Sequence, residues 1–175
     1  MVEAMGDAPR GYTAWEEVML AEYLAGAFPN GRVINRQRLG PDGATYSDPR
    51  LSDGERRLLG AAFRRWADAV VIDAGVLLVV EAAMVPDPRD ISLVQTYLRL
   101  VAVTPELAPF RALPRRGRLV WAVDDEFSRA VAVEHGLEVA LFRPSNFNAW
   151  LTAKRASAPR QARAAVTTLG VDLPD

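Results

Sequence analysis

Two apolar runs separated by a short turn constrain the fold of this chain more than any other feature. The runs are Ala69–Ile72 and Val76–Val80, and Asp73-Ala74-Gly75 lies between them. An Asp-X-Gly turn between segments rich in β-branched residues is typical of a β-hairpin. We therefore predict two antiparallel strands joined at this turn.

The predicted hairpin brings two carboxylates together at its open end. Closure about Asp73 and Val76 places Asp68, which precedes the first run, directly opposite Glu81, which ends the second. Opposed residues of an antiparallel pair project from the same face of the sheet. Two negative charges so close together must be neutralised, solvated or bound to a cation. Carboxylate oxygens with water are ligands for Mg²⁺, although polar strand ends are also ordinary. Asp73 is a further metal candidate, but it is better explained as a turn residue.

The pattern of the remaining chain predicts an α/β protein with one domain over residues 1–156, followed by an Arg- and Ala-rich tail or arm over 157–175. The last strand, helix and strand are typical of a βαβ unit with parallel strands. The predicted helices are Trp15–Ala27, Asp53–Trp66, Arg89–Val103, Glu126–His135 and Asn146–Ala156, and the strands outside the hairpin are Arg32–Leu39, Arg118–Val123 and Leu137–Phe142.

These elements and the hairpin acids resemble the PD-(D/E)XK nuclease superfamily, especially its small, phage-type members. In that family an Asp and a Glu-x-Lys motif lie across a hairpin, and the next helix often carries a Gln. Asp68, Glu81 and Gln95 stand at the corresponding positions, and the resemblance spans Trp15–Leu151. It implies a restriction-endonuclease-like αβββαβ core with a C-terminal βαβ extension, in which helices flank a mixed central sheet.

One position departs from the family pattern, because Glu81 is followed by Ala82-Ala83 where the family has a lysine at the second place. In the family that lysine orients or activates the attacking water and stabilises developing charge, which Ala83 cannot do. Ala83 is either natural or a deliberate replacement that silences a real nuclease. The one lysine of the sequence, Lys154, lies far along the chain.

The resemblance also implies a metal site, with Mg²⁺ or Mn²⁺ held by Asp68 and Glu81 if the site is functional and no cofactor otherwise. Family members often add a carboxylate from the first helix. Glu17 or Glu22 is favoured for this role, because Glu16 has the position of a capping-box residue. All three acids could equally lie on a solvated helix face.

Two other polar residues have competing explanations. The resemblance implies that Gln95 points toward the hairpin, whereas a polar residue on a half-buried helix is the plain alternative. His135 precedes Gly136 and suits the C-terminal end of a helix, where the dipole favours a cation.

Composition disfavours several function classes. The chain has no cysteine and one histidine, so a disulfide, a Cys- or His-rich zinc site and a Ser-His-Asp triad are not expected. No apolar run approaches a membrane span, and the first residues lack a signal-peptide pattern. Together with these absences, the resemblance to phage-type members implies a protein of the host cytoplasm or the virion.

Arginine supplies almost all of the positive charge, yet the net charge is −1, so no global basic field attracts nucleic acid. Arg32, Arg36 and Arg38 share one parity in the first predicted strand and are candidate contacts to DNA or a partner. Pairing with nearby acids is an equally good explanation of these side chains.

Two functional hypotheses follow. The first is a catalytically impaired nuclease fold used as a phage structural component, such as a head–tail connector or adaptor that forms a homo-oligomeric ring with portal and tail proteins. The alternative is an active Mg²⁺-dependent DNA endonuclease or exonuclease, or a Lys-to-Ala silenced form of one. In that case Asp68 and Glu81 hold the metal that activates water.

Overall fold

A five-stranded mixed sheet organises the structure, a computed structural model that describes residues 14–42 and 49–157. The strands are antiparallel from the first to the third and parallel from the third to the fifth. In both chain and sheet order they are β1 (Arg32–Leu39), β2 (Arg65–Asp73), β3 (Val76–Ala83), β4 (Arg115–Trp121) and β5 (Glu138–Leu141).

Helices connect and cover the strands of the described chain. Asp87 and Asp125 cap two of them by accepting hydrogen bonds from the backbone N–H groups of Arg89 and Ser128, each at 2.9 Å. The 3₁₀ turns Val101–Val103 and Pro105–Phe110 precede β4. The helices are α1 (Ala14–Ala27), α2 (Asp53–Phe63), α3 (Pro88–Leu100), α4 (Glu126–Glu134) and α5 (Phe147–Ser157).

Both faces of the sheet are buried. α1 and α5 pack on one face through residues such as Met19 and Trp150, and α3 and α4 pack on the other through residues such as Val94 and Ala132. The chain is therefore an α/β protein whose sheet lies between helices. None of the described helices is both long and apolar enough to cross a membrane.

The hairpin predicted from the sequence is present in the predicted register. Asp73 pairs with Val76, and the pairing continues to Ala69 and Val80. Ala74 and Gly75 both have positive φ, 46° and 76°, as in a type I′ turn that matches the twist of a two-stranded hairpin. The predicted strand over Arg32–Leu39 is also present with those bounds.

Several predicted boundaries are wrong, among them the end of the helix predicted over Arg89–Val103, which stops at Leu100, and two that strand pairing explains. The helix predicted over Asp53–Trp66 ends at Phe63, because the following residues pair with β1 as the start of β2. The strand predicted from Arg118 begins at Arg115, since its first residues pair with β3. The predicted capping residue Thr13 and the tail from residue 158 lie outside the described residues.

Candidate functional site: a carboxylate fork

The candidate site lies where β2 and β3 separate. Their pairing ends at Ala69 and Val80, after which β2 continues beside β1 and β3 continues beside β4. The next positions in this register are Asp68 and Glu81. An Asp68 carboxylate oxygen, Oδ2, accepts a hydrogen bond from the Ala82 N–H at 2.9 Å, which bridges the opening. We call this place, formed by Asp68, Glu81 and Ala82, the fork.

Glu81 points to the face of the sheet that α3 covers. It shares parity with Leu77 and Val79, whose side chains belong to the core on that side. The Oε2 atom of Glu81 is shielded from solvent. The fork therefore places acidic oxygens in a partly dry environment beside a helix, where charge is costly unless it is compensated.

The fold opposes ionisation of Asp68. The pKa of this carboxyl is raised to about 7, with burial as the largest cause and the charges of Glu16 and Asp90 acting in the same direction. The Ala82 N–H and the positive charge of Arg36 act in the opposite direction. At neutral pH the Asp68 carboxyl is therefore divided between its protonated and ionised forms.

The structure brings different acids toward the fork from those favoured on sequence grounds. Glu16, at the start of α1, acts electrostatically on Asp68, whereas Glu17 is exposed. Glu22 accepts hydrogen bonds from the Ser145 hydroxyl and from the Ser145 N–H, the latter at 2.8 Å, and these bonds lower the pKa of Glu22. The first helix thus contributes Glu16 to the surroundings of the fork.

Sequence reasoning missed Asp90. This residue lies in the first turn of α3, is 5% exposed, and is one of the charges that raise the pKa of Asp68. The signal was its position beside Ile91 and four residues before Val94, which both pack inward. An acidic residue on the buried side of a helix is a candidate site residue, because acidic side chains are seldom buried.

Gln95 makes contacts away from the hairpin. Its Nε2 lies 3.1 Å from Nδ1 of His135 and donates to the backbone oxygen of His135 at 3.3 Å. These contacts join α3 to the end of α4, where His135 follows the last helical residue. Gln95 and His135 are therefore partners of each other, and their contacts link the two helices.

Ala83, at the position that the resemblance assigns to lysine, has apolar neighbours. Ala83 is half-buried and pairs in register with Trp121, which is fully buried. Trp121 Nε1 has no hydrogen-bond partner in the described part of the chain. Across residues 14–42 and 49–157, no group of three or more Asp, Glu or His side chains is placed to hold a metal. Asp73 lies at the opposite, closed end of the hairpin.

The predicted basic residues of β1 divide between two places. The Arg32 guanidinium carbon lies 5.1 Å from the centre of the Phe110 ring. The corresponding atoms of Arg36 and Arg38 lie 5.8 Å and 5.1 Å from the centre of the Trp66 ring, so both guanidinium groups are close to the same indole. Only this second group adjoins the fork, since Arg36 occupies the register position opposite Asp68.

No family model, curated protein or solved structure matches the chain. The geometry offers two carboxylates directly beyond the last pair of the hairpin, and one of them, Asp68, is buried enough to resist ionisation. The positive charge of Arg36 acts on Asp68, and alanine stands at the position that the resemblance assigns to lysine. Such a site can bind a cation more readily than it can stabilise a developing negative charge.

Proposed function

We propose that this chain is a restriction-endonuclease-like protein that keeps the carboxylate pair of a metal-dependent nuclease but is impaired in cleavage. The observation that carries the proposal is that Asp68 and Glu81 both lie where the hairpin opens, directly beyond the last pair Ala69 and Val80, with Asp68 bonded to the Ala82 N–H. The sheet order adds support, because an antiparallel meander followed by a helix and a parallel strand is the arrangement that an αβββαβ core implies.

Impaired cleavage follows from the side chains around the fork. Ala83 supplies no positive charge, and its surroundings are apolar. Removing one group that stabilises charge in a transition state typically slows a reaction by about 10²–10³-fold. The raised pKa of Asp68 also means that a proton competes with any cation near neutral pH.

Asp68 and Glu81 would hold Mg²⁺ or Mn²⁺ together with water, because these ions accept one or two carboxylates and keep a partly hydrated shell. A bound divalent cation would lower the pKa of its water and so supply a nucleophile. Glu16 and Asp90 add negative charge that favours a cation at the fork. Asp68 must lose its proton before it can bind the ion.

A thermal melt with Mn²⁺ tests the metal-binding half of the proposal. At slightly alkaline pH, Mn²⁺ should raise the Tm of the unaltered chain, since a ligand that binds only the folded state stabilises it. Asp68→Asn should show no rise. Asp73→Asn, which removes the same charge at the closed end of the hairpin, should respond like the unaltered chain. Equal responses from all three proteins, or none, would contradict a cation site at the fork.

As an impaired nuclease fold, the protein would serve as a structural component, such as a phage head–tail connector or adaptor. Its partners would be portal and tail proteins, and it would form a ring of identical subunits. Support is limited to the family resemblance and the missing lysine, and fold alone is a weak guide to function. Mass measurement in solution tests this role: a ring is expected, and a monomer at high concentration would contradict it.

An active Mg²⁺-dependent deoxyribonuclease is the second candidate, and Arg36 is the observation that favours it. Arg36 lies opposite Asp68 and lowers the pKa of that carboxyl, so a positive charge does act at the fork. If Arg36 replaces the family lysine, the unaltered chain cuts DNA in Mn²⁺ and Arg36→Gln does not. Absence of cutting by the unaltered chain would exclude this candidate.

A further inference from the structure

Trp66 is unusual among the tryptophans of the chain because 45% of its surface is exposed although it lies within a strand. Its direct partner across the sheet is Arg38, and Arg36 lies two residues before Arg38 on β1. Both guanidinium groups are within 6 Å of the ring centre, the range over which a cation is attracted to an aromatic face. We call Trp66, Arg36 and Arg38 the Trp66 platform.

Side-chain contacts from Arg64 restrain the backbone of β1 at Arg38, next to the platform. Arg64 donates to the carbonyl oxygen of Arg38 at 2.8 Å, and its guanidinium is paired with Glu106 at 2.7 Å. Arg36 has φ 49°, a left-handed conformation that is unfavourable for a residue with a Cβ atom. Strained residues of this kind persist only where the surrounding structure enforces them, and they cluster at functional sites.

We propose that the Trp66 platform binds single-stranded nucleic acid beside the fork. Guanidinium groups bind phosphate oxygens in pairs of hydrogen bonds, and an exposed indole stacks on an unpaired base. Bases inside a duplex cannot offer a free face to Trp66. The net charge of −1 also gives no broad basic surface along which a duplex would lie.

The location of the platform deepens the proposed function and rests on it. Arg36 belongs to the platform and lies between Asn35 and Gln37, whose partners Ala69 and Ala67 are the neighbours of Asp68. A nucleic-acid strand bound at the platform would therefore pass the fork. A phosphate bound by Arg36 would bring its negative charge close to Asp68 and Glu81. A divalent cation would offset that repulsion, which explains why acids and arginines adjoin each other at this site.

Fluorescence anisotropy tests the proposal on the whole chain. The probe is a fluorescein-labelled oligothymidylate of about 12 nucleotides, within the usual span of single-strand sites. EDTA is present, so that binding does not depend on a metal at the fork. Binding is expected to exceed that of a matched duplex. The logarithm of the affinity should fall with the logarithm of salt with a slope of about −1.4, for two phosphate contacts.

Substitutions locate the binding. Trp66→Ala should weaken it by about tenfold, because one base loses its stacking partner, and Trp66→Phe should restore part of the loss. Arg36→Gln should weaken binding and reduce the salt slope to about −0.7. Arg65→Gln is the matched control, since it removes the same charge from an exposed neighbour on the opposite side of β2 and should bind like the unaltered chain.

Photocrosslinking keeps the test independent of variant stability. An oligonucleotide carrying 5-iododeoxyuridine should crosslink to the unaltered chain at Trp66. Lack of single-strand binding, equal binding of duplex, an equal loss in Arg65→Gln, or crosslinks confined to other regions would each overturn the proposal. Because this test contains EDTA and the Mn²⁺ melt contains no nucleic acid, failure of the platform and failure of the fork are separate outcomes.

Discussion

Asp68 is the residue at which burial, charge and hydrogen bonding act most directly against one another. Its folded pKa of about 7 lies above the unfolded value of about 3.9, so the folded chain binds more protons between those limits. The contribution of Asp68 to the free energy of unfolding therefore falls as pH rises from about 4 to about 7, and it is constant above that range. The carboxyl contributes most favourably when it is protonated.

Asp68→Asn should remove this dependence, because the amide is always neutral and its oxygen still accepts from the Ala82 N–H. The free energy of unfolding of the variant should equal that of the unaltered chain near pH 4 and exceed it by about 1–3 kcal/mol above pH 7. Urea denaturation of both proteins across this range gives the difference. A difference that does not change with pH would contradict the raised pKa.

The hairpin register from Asp73 to Ala69 is as the sequence predicts, because it follows from the turn, and Asp68 and Glu81 lie directly beyond the last pair. The sequence did not identify Asp90 or select Glu16, and it left Gln95 open between a position facing the hairpin and an ordinary place on a half-buried helix, whereas the Gln95 side chain bonds to His135. Which side of a helix faces a site depends on how the helix rotates against the sheet. That rotation is set by contacts between distant parts of the chain, such as Val94 against Gly117.

At the scale of elements, α3 reaches its position because β4 contains a glycine. A Cβ atom at Gly117 would lie 2.4 Å from Val94 Cγ1 and 2.8 Å from Leu137 Cδ2, closer than real atoms approach. Both neighbours are core side chains on that face of the sheet. The close approach of α3 to β4 is therefore part of what holds Asp90 near the fork.

Gly117→Ala should destabilise the protein by about 1–3 kcal/mol, the usual effect of overfilling a packed core. Gly26→Ala is the control, because a Cβ there meets nothing within 4 Å and alanine is favoured over glycine in a helix. Thermal melts should show a lower Tm for the first variant and an equal or higher Tm for the second. Equal Tm values would show that α3 moves without cost.

The sequence predicts elements well where local signals determine them, and less well where pairing with a distant segment determines them. The hairpin and β1 depend on nearby turns and alternation, and they are present with the expected register or bounds. The end of α2 was misplaced, because Trp66 suits a helix by pattern but pairs with Arg38, far away in sequence. The early start of β4 likewise depends on its pairing with β3.

At the scale of the whole molecule, the fork is a product of the sheet order. β2 and β3 separate because each has a second neighbour, β1 on one side and β4 on the other, that continues past the end of their own pairing. α1 and α3 lie on opposite faces and bring Glu16 and Asp90 toward the same opening. Sites at such openings in α/β sheets are common places for ligands.

The most direct test of the account compares DNA cleavage by the unaltered chain and by Ala83→Lys in Mn²⁺. The account predicts that the unaltered chain leaves linear and branched DNA intact, that Ala83→Lys cuts both, and that Asp68→Asn in the Ala83→Lys background abolishes cutting. Cleavage by the unaltered chain that is lost in Asp68→Asn would contradict the proposed impairment. Failure of Ala83→Lys to cut would contradict the assignment of the fork as a nuclease site that lacks only its lysine.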